Sequence, residues 1–123
     1  IMALGKIKAD TLEHSTAGSL DTSYVVNGSA KVWCAFNGQG TIAIRDSFNT
    51  ASLTDNNTGI HTVNYTSALV NAEYAVTVSH YESQAQASYN AQATSSVRVD
   101  SRKDDGTFLD VSRKTVVSHG DLA

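Results

Sequence analysis

The stretch that decides the fold of this chain is residues 31–45, which read KVWCAFNGQGTIAIR. Its first half alternates in character, with Val32, Cys34 and Phe36 on one side of an extended backbone. This period of two is typical of a half-buried β-strand. The Asn-Gly step that begins at Asn37 favours a tight turn, because positive φ angles cost little there. The stretch therefore predicts a hairpin of two antiparallel strands.

The same alternation recurs along the rest of the chain. It marks residues 61–66, 74–81, 97–99, 109–112 and 116–117, and we expect a further strand at residues 6–9. Turn residues separate the runs at 55–59 and 104–106. Short strands with frequent turns are typical of sandwiches and barrels. We therefore predict an all-β fold, an antiparallel β-sandwich of the jelly-roll or lectin-like type, with one helical turn at residues 67–72.

Composition excludes several classes of function. The chain has 123 residues, which is the length of one domain. Its formal net charge of −3 gives it no general attraction to nucleic acid. Its apolar runs are too short to cross a bilayer. Residues 2–8 lack the apolar run of a secretory signal. We expect translation to begin at Met2, synthesis in the cytoplasm, no nucleic-acid partner and no insertion into a membrane.

Two segments differ from the alternating strands. Residues 1–22 carry only scattered apolar groups, which predicts an extended N-terminal arm for docking or trimerisation, ahead of a single β-sandwich domain at residues 23–123. Residues 84–96 are small, polar and nearly uncharged. They predict an edge strand or a flexible hairpin, or alternatively an exposed contact loop anchored by Tyr89, since tyrosine offers contact area at low entropic cost.

Residues that could carry chemistry are present, but not at catalytic or metal-binding spacing. The run GQGTIA at 38–43 matches a loose dinucleotide fingerprint, yet it continues as a strand rather than a helix. The histidines lack the spacing of metal ligands on one strand, and His61 and His80 stand in register with apolar positions. Cys34 is expected to be a small buried hydrophobe. We therefore expect no enzyme activity, no cofactor and no metal site, unless a trimer axis brings three copies of one histidine together.

A longer pattern covers the middle of the chain. Residues 27–49 read NGSAKVWCAFNGQGTIAIRDSFN, and residues 52–66 read SLTDNNTGIHTVNYT. Together they resemble a segment of the fibre proteins of tailed phages, notably those of marine and aquatic bacteria, in which GxAKxWxxFNGxGTxxIRDSFN precedes SxTDNxTGxxTVN and an aromatic residue. Residues 7–12 are similar to the lead-in to that domain.

The resemblance implies a structural virion protein of a tailed bacteriophage, a homotrimeric fibre, spike or decoration component on the tail or capsid surface. Its arm would contact other virion proteins. The alternative is a lectin-like adhesin that recognises a host cell-surface glycan. For that function we expect receptor contacts from Tyr81, Tyr89 and Asn90.

Four residues are predicted at a subunit interface. Ile7 and Leu12 are apolar residues of the arm. Trp33 faces away from its apolar strand neighbours, so it lies either on a second face of the sandwich or between subunits. Arg45 either forms a surface ion pair at a strand end or crosses the interface, where its guanidinium can make several hydrogen bonds at once.

Overall fold

The computed structural model describes residues 5–83 and 85–123. Residues 1–4 of the predicted arm, Met2 among them, and Gln84 of the 84–96 segment lie outside the described residues. The described residues form ten strands and one helix, so the predicted all-β class is confirmed. The elements are β1 (Thr11–His14), β2 (Gly18–Asp21), α1 (Thr22–Gly28), β3 (Val32–Asn37), β4 (Ala43–Phe48), β5 (Thr50–Asn57), β6 (Ile60–Tyr65), β7 (Ala75–His80), β8 (Ala85–Ala93), β9 (Ser96–Lys103) and β10 (Lys114–His119).

Eight of these strands form two antiparallel four-stranded sheets. The first sheet has the order β4-β3-β10-β7, and the second sheet has the order β5-β6-β9-β8. β1 and β2 pair with each other as a separate hairpin. The chain passes from β3 and β4 in the first sheet to β5 and β6 in the second, returns for β7, crosses again for β8 and β9, and ends with β10 between β3 and β7 of the first sheet.

Both sheets contribute side chains to one hydrophobic core. Alternation places the core residues, because every second residue of a strand points to the same face. Each buried valine or phenylalanine side chain contributes about 1.5–3 kcal/mol relative to an exposed one. The buried apolar residues are Val32, Cys34, Phe36 and Val116 in the first sheet and Val63, Tyr65, Val97 and Val99 in the second, with Leu69 and Tyr74 from the β6–β7 connection and Val111 from the loop before β10.

The hairpin predicted from residues 31–45 is confirmed as β3 and β4. The predicted tight turn is wrong, because residues 38–42 form a five-residue loop whose positive φ falls at Gly40 (59°) and not at the Asn-Gly step. The side-chain nitrogen of Asn37 donates to the carbonyls of Gln39 (2.8 Å) and Thr41 (3.0 Å), which holds the loop in place. The predicted turn at 55–59 is shorter than expected, because residues 55–57 belong to β5. It closes at Gly59, where φ is 71° and a Cβ would lie 2.6 Å from the Ser101 carbonyl oxygen.

Asn49 forms the corner where the chain leaves the first sheet for the second. Its φ of 54° lies in the left-handed region, which non-glycine residues seldom occupy. The side-chain nitrogen donates to the carbonyls of Lys31 (3.1 Å) and Ser67 (3.0 Å), and the side-chain oxygen accepts from the Ser67 amide (2.7 Å). These three bonds offset the backbone strain and tie β3, the corner and the β6–β7 connection together.

A chain of hydroxyl groups joins the two sheets within the core. The Tyr65 hydroxyl lies 3.0 Å from the Tyr74 hydroxyl and 3.3 Å from the Ser118 Oγ. The Tyr74 hydroxyl also lies within hydrogen-bond distance of the carbonyls of Ala93 (2.9 Å) and Ser96 (2.8 Å). Burial raises the pKa of both phenols, so both stay protonated and able to donate.

Three strand and helix predictions are wrong. Residues 6–9 form no strand, and residues 109–112 form an irregular loop whose Val111 is buried in the core. Residues 67–72 form no helical turn, because the Leu69 amide donates to the Thr94 carbonyl (2.8 Å) and Leu69 also bridges to Leu122. The helix lies instead at Thr22–Gly28.

The N-terminal segment, defined here as residues 5–29, is not the extended arm that the sequence predicted. It folds into the β1–β2 hairpin followed by α1, and the first strand of the two sheets begins only at Val32. Thr22 joins the two parts of the segment: its amide donates to the Asp10 carbonyl (2.9 Å) and its hydroxyl to the Ala9 carbonyl (2.7 Å). Local hydrogen bonds thus favour a folded segment over an extended one.

The alternatives for residues 84–96 are decided in favour of an edge strand. β8 covers Ala85–Ala93 and lies at the edge of the second sheet, paired only with β9. The prediction of an exposed contact loop is wrong, because the backbone of this segment is held in a strand ladder from Ala85 to Ala93, with a bulge between Tyr89 and Ala91.

Candidate functional site

The N-terminal segment exposes its large apolar side chains. α1 has no buried residue and no side-chain hydrogen bond at its N-cap. A two-stranded hairpin and a seven-residue helix are each only marginally stable alone in water. The exposed fractions are 93% for Ile7, 50% for Leu12, 44% for Leu20, 68% for Tyr24, 45% for Val25 and 63% for Val26.

An open groove of about 890 Å³ runs between residues 7–12 and α1 of this segment. Ile7 and Leu12 line it together with Val25 and Val26 of α1. The structure thus brings the two arm residues of the predicted interface to one surface, and it adds two valines that the sequence did not single out.

Trp33 lies on the outer face of the first sheet, as its alternation predicted. It pairs with Phe48 of β4 on one side and with Val117 of β10 on the other. Phe48 is 54% exposed and Trp33 36% exposed, while Val117 is half-buried. We call these three residues the Trp33 row. Two of them, Trp33 and Val117, border a shallow apolar depression of about 190 Å³. Phe48 and Val117 were missed because cross-strand register cannot be read from one strand.

Arg45 lies apart from the Trp33 row, at the bulge between β3 and β4. Its guanidinium donates to the Ser112 carbonyl (3.0 Å), which joins β4 to the loop before β10. Within the described residues it forms no ion pair with Asp46, so the predicted surface ion pair is wrong. Arg45 therefore has a role within the chain, and its predicted interface contact stays a prediction.

Tyr81 is 75% exposed and lies just after β7, where the loops that follow β7 and precede β10 meet. The Arg113 guanidinium lies 5.8 Å from its ring centroid, within the range of a cation–π contact. Glu82 accepts a hydrogen bond from the Ser112 hydroxyl (3.2 Å), which holds the adjoining loop. The structure thus presents a flat aromatic ring beside one cation at this end of the sheets.

Tyr89 and Asn90 lie in the middle of β8, in the second sheet, whereas Tyr81 follows β7 of the first sheet. Tyr89 is 46% exposed, and its predicted receptor contact stays a prediction. The Asn90 side chain accepts from Arg98 Nε (2.6 Å) and donates to the Asp100 carboxylate (2.5 Å). Asp100 also pairs with Arg102 at 3.4 Å and is only 1% exposed. Both ends of the Asn90 amide are therefore engaged inside the chain, so the residue supports the β8 bulge.

Lys114 is the most unusual side chain of the core. It is fully buried, although it carries an amine, and its nitrogen donates to the Gly59 carbonyl at 3.2 Å. It lies 3.5 Å from Nδ1 of His61, which is also fully buried and packs edge-on against Phe36. The signal was present in the sequence, because Lys114 stands two residues before the inward-facing Val116.

Burial sets the ionisation of this pair. Desolvation lowers the pKa of Lys114 from 10.5 to about 8, although Asp100 and Asp110 act in the opposite direction. Desolvation and the neighbouring Lys114 charge lower the pKa of His61. His61 is buried as predicted, but its Nε2 has no hydrogen-bond partner among the described residues. The pair is thus a pH-sensitive element inside the fold, closed off from solvent.

Cys34 is buried as predicted, with 1% of its surface exposed. Desolvation raises the pKa of its thiol from 9.0 to about 11, so the thiolate is disfavoured. Among residues 5–83 and 85–123, no three or more His, Cys, Asp or Glu side chains form a group that could hold a metal ion.

In the part of the chain that the structure describes, no helix combines the length and the apolar character that crossing a bilayer demands.

Comparison of the chain with protein-family models, with curated proteins and with solved structures gave no match.

Proposed function

We propose that the chain is a structural virion protein of a tailed phage, a β-sandwich that assembles as a homotrimer and is displayed on the particle as a fibre, spike or decoration component. The N-terminal segment is its assembly element. The sequence resemblance over residues 27–66 supports the phage assignment. The face-to-face contribution of two antiparallel sheets to one core supports the sandwich.

One observation carries the proposal. The N-terminal segment is folded, yet the large apolar side chains Ile7, Tyr24 and Val26 remain more than half exposed. Each exposed side chain of this size forgoes about 1.5–3 kcal/mol of burial. A contiguous apolar surface of this kind marks an interaction site, and cyclic symmetry is the usual outcome when copies of one chain associate.

The experiment is incorporation into particles. Virions of the phage that encodes the chain are purified from cells that express either the full chain or a variant lacking residues 1–29, which removes the β1–β2 hairpin and α1 together, and the chain is quantified by mass spectrometry. The full chain is expected in the virions and the shortened one only in the lysate, with circular dichroism checking that its sheets are folded. A folded variant that still joins the particles would contradict the proposed role of the segment.

A second candidate is the glycan-binding adhesin, and the exposure of Tyr81 beside Arg113 favours it. An aromatic face flanked by polar groups suits the apolar face of a sugar ring, and a trimer would multiply weak sites through avidity. On a glycan array, Tyr81→Ala is expected to abolish binding and Phe108→Ala, which removes an exposed aromatic ring beside Arg102 elsewhere on the chain, to preserve it. Equal loss in both variants, or no binding by the full chain, would exclude this candidate.

A further inference from the structure

The outer faces of the two sheets differ in chemistry. On the second sheet, the Asn64 amide donates to the hydroxyls of Ser52 (3.1 Å) and Thr54 (3.0 Å), and the Thr62 hydroxyl donates to the Asn56 side chain (2.7 Å). That face is polar and satisfies its own hydrogen bonds. On the first sheet, the Trp33 row presents contiguous apolar area.

Among residues 5–83 and 85–123, the Trp33 row and the groove of the N-terminal segment are therefore both uncovered apolar surfaces. No hydrogen bond of the described residues joins residues 5–28 to the Trp33 row or to any other part of the two sheets. Within one copy, neither surface covers the other. Two surfaces of matching character at different places on one chain are what a head-to-tail contact between copies needs, and such contacts form a ring when the rotation between successive copies closes.

Charge also matches between the two surfaces. Lys6 and Lys8 flank Ile7, which is 93% exposed. Beside the Trp33 row, exposed Asp46 pairs with Ala35, two residues along β3 from Trp33 and on the same outer face. Among hydrogen bonds of the described residues, its carboxylate accepts only from the neighbouring Ser47 amide (2.9 Å). The first surface therefore carries an apolar residue between two cations, and the second carries an apolar row beside an anion with free acceptor capacity, so the two surfaces are complementary in charge.

We infer that the N-terminal segment of one copy lies on the Trp33 row of a neighbouring copy, with Ile7 on the apolar residues and Lys6 or Lys8 beside Asp46. This contact rests on the self-assembly in the proposed function and specifies its geometry as heterologous. The occupant of the Trp33 row is a second copy of this chain.

Trp33 is the single tryptophan of the chain and reports directly on this face. The experiment dilutes the full chain across its association range and follows tryptophan emission and light-scattering mass together. As the oligomer forms, the emission maximum is expected to shift to shorter wavelength, because the segment of the neighbour removes water from the indole.

Charge reversal tests the partner surface. Asp46→Lys is expected to weaken association by about tenfold or more, since like charges then meet across the contact. Adding Lys6→Glu and Lys8→Glu to the same chain is expected to restore most of that loss. Asp104→Lys, which makes the same charge change in an exposed turn, serves as the control and is expected to leave association unchanged.

Two results would overturn the inference and are distinguishable. An oligomer that forms with unchanged Trp33 emission and is indifferent to Asp46→Lys would contradict this contact while leaving the proposed trimer intact. A chain that stays monomeric at every concentration would remove the second copy as occupant and the proposed trimer with it.

Discussion

Replacing Lys114 with methionine tests the ionisation of the core directly. Lys114→Met keeps a long apolar side chain in the same space and removes the buried amine. A pKa of about 8 in the folded chain, against 10.5 in the unfolded chain, means that burying the charged amine costs about 3 kcal/mol at neutral pH. The variant also loses the hydrogen bond to the Gly59 carbonyl, which destabilises it by about 1–3 kcal/mol and offsets part of that gain. We expect the variant to be more stable at pH 7 by about 1 kcal/mol.

The pH dependence of this difference is the sharper readout. Between about pH 8 and 10.5 the unfolded chain binds more protons at Lys114 than the folded chain does, so wild-type stability rises with pH. From about pH 8 to about pH 9.5 the rise due to Lys114 is about 1.5 kcal/mol. Cys34 acts in the opposite direction, because its raised pKa delays ionisation in the folded chain. That contribution is the same in both proteins and cancels in their difference.

The assay is urea unfolding of both proteins under reducing conditions, at several pH values across that range. The stability of Lys114→Met relative to wild type is expected to fall by about 1.5 kcal/mol across that range, so the advantage of about 1 kcal/mol at pH 7 becomes a small deficit near pH 9.5. Lys103→Met, which removes an exposed lysine of β9, is the control and is expected to show a constant difference from wild type. A Lys114→Met difference that is equally constant would refute the reasoning, since the amine would then not be desolvated.

Three further perturbations test other parts of the structure. Because the pKa of His61 is lowered in the folded chain, the unfolded chain takes up a proton at His61 first as the pH falls below about 6.5, and wild-type stability is expected to decline there. In thermal melts, His61→Gln is expected to lack the part of this decline that is due to His61. Asn49→Ala is expected to cost about 2–4 kcal/mol in urea unfolding, and Asn49→Gly about 1 kcal/mol less, because glycine accepts the left-handed backbone; equal costs would rule out backbone strain at the corner. Tyr74→Phe is expected to cost about 1–3 kcal/mol, whereas Tyr81→Phe, at an exposed position, leaves stability unchanged; a neutral Tyr74→Phe would show that the hydroxyl chain does not stabilise the fold.

The parts of the fold that could be predicted from the sequence are those with a strong local signal. The hairpin of β3 and β4 follows from alternation around an Asn-Gly step, and the outward direction of Trp33 follows from its register with Val32 and Cys34. Burial of Cys34 and His61 follows from the same register. In each case the residue types within a few positions decide the outcome.

Two of the four edge strands, β5 and β8, were harder to predict because they have no fully buried face. β5 is exposed or half-buried at every position, and β8 alternates only between half-buried and exposed residues before its bulge. Their conformation comes from backbone hydrogen bonds to the next strand, β6 for β5 and β9 for β8. It does not come from an alternation of buried and exposed side chains within each strand. Propensity and periodicity carry little of that information.

The candidate interaction surface was predictable only in part. Ile7, Leu12 and Trp33 could be singled out as apolar residues without a place in the core. The neighbours that turn Trp33 into a row, Phe48 and Val117, come from two other strands, and the groove valines come from a helix whose seven residues have no amphipathic repeat to detect. These features depend on strand order and on packing between distant segments.

The solution mass of the full chain, measured by size-exclusion chromatography with light scattering, tests the central claim most directly. Self-assembly through the N-terminal segment predicts a mass near three times the 13.0 kDa of one chain. A mass of 13.0 kDa across the accessible concentration range would contradict it, and the exposed apolar side chains of residues 5–29 would then require a different partner.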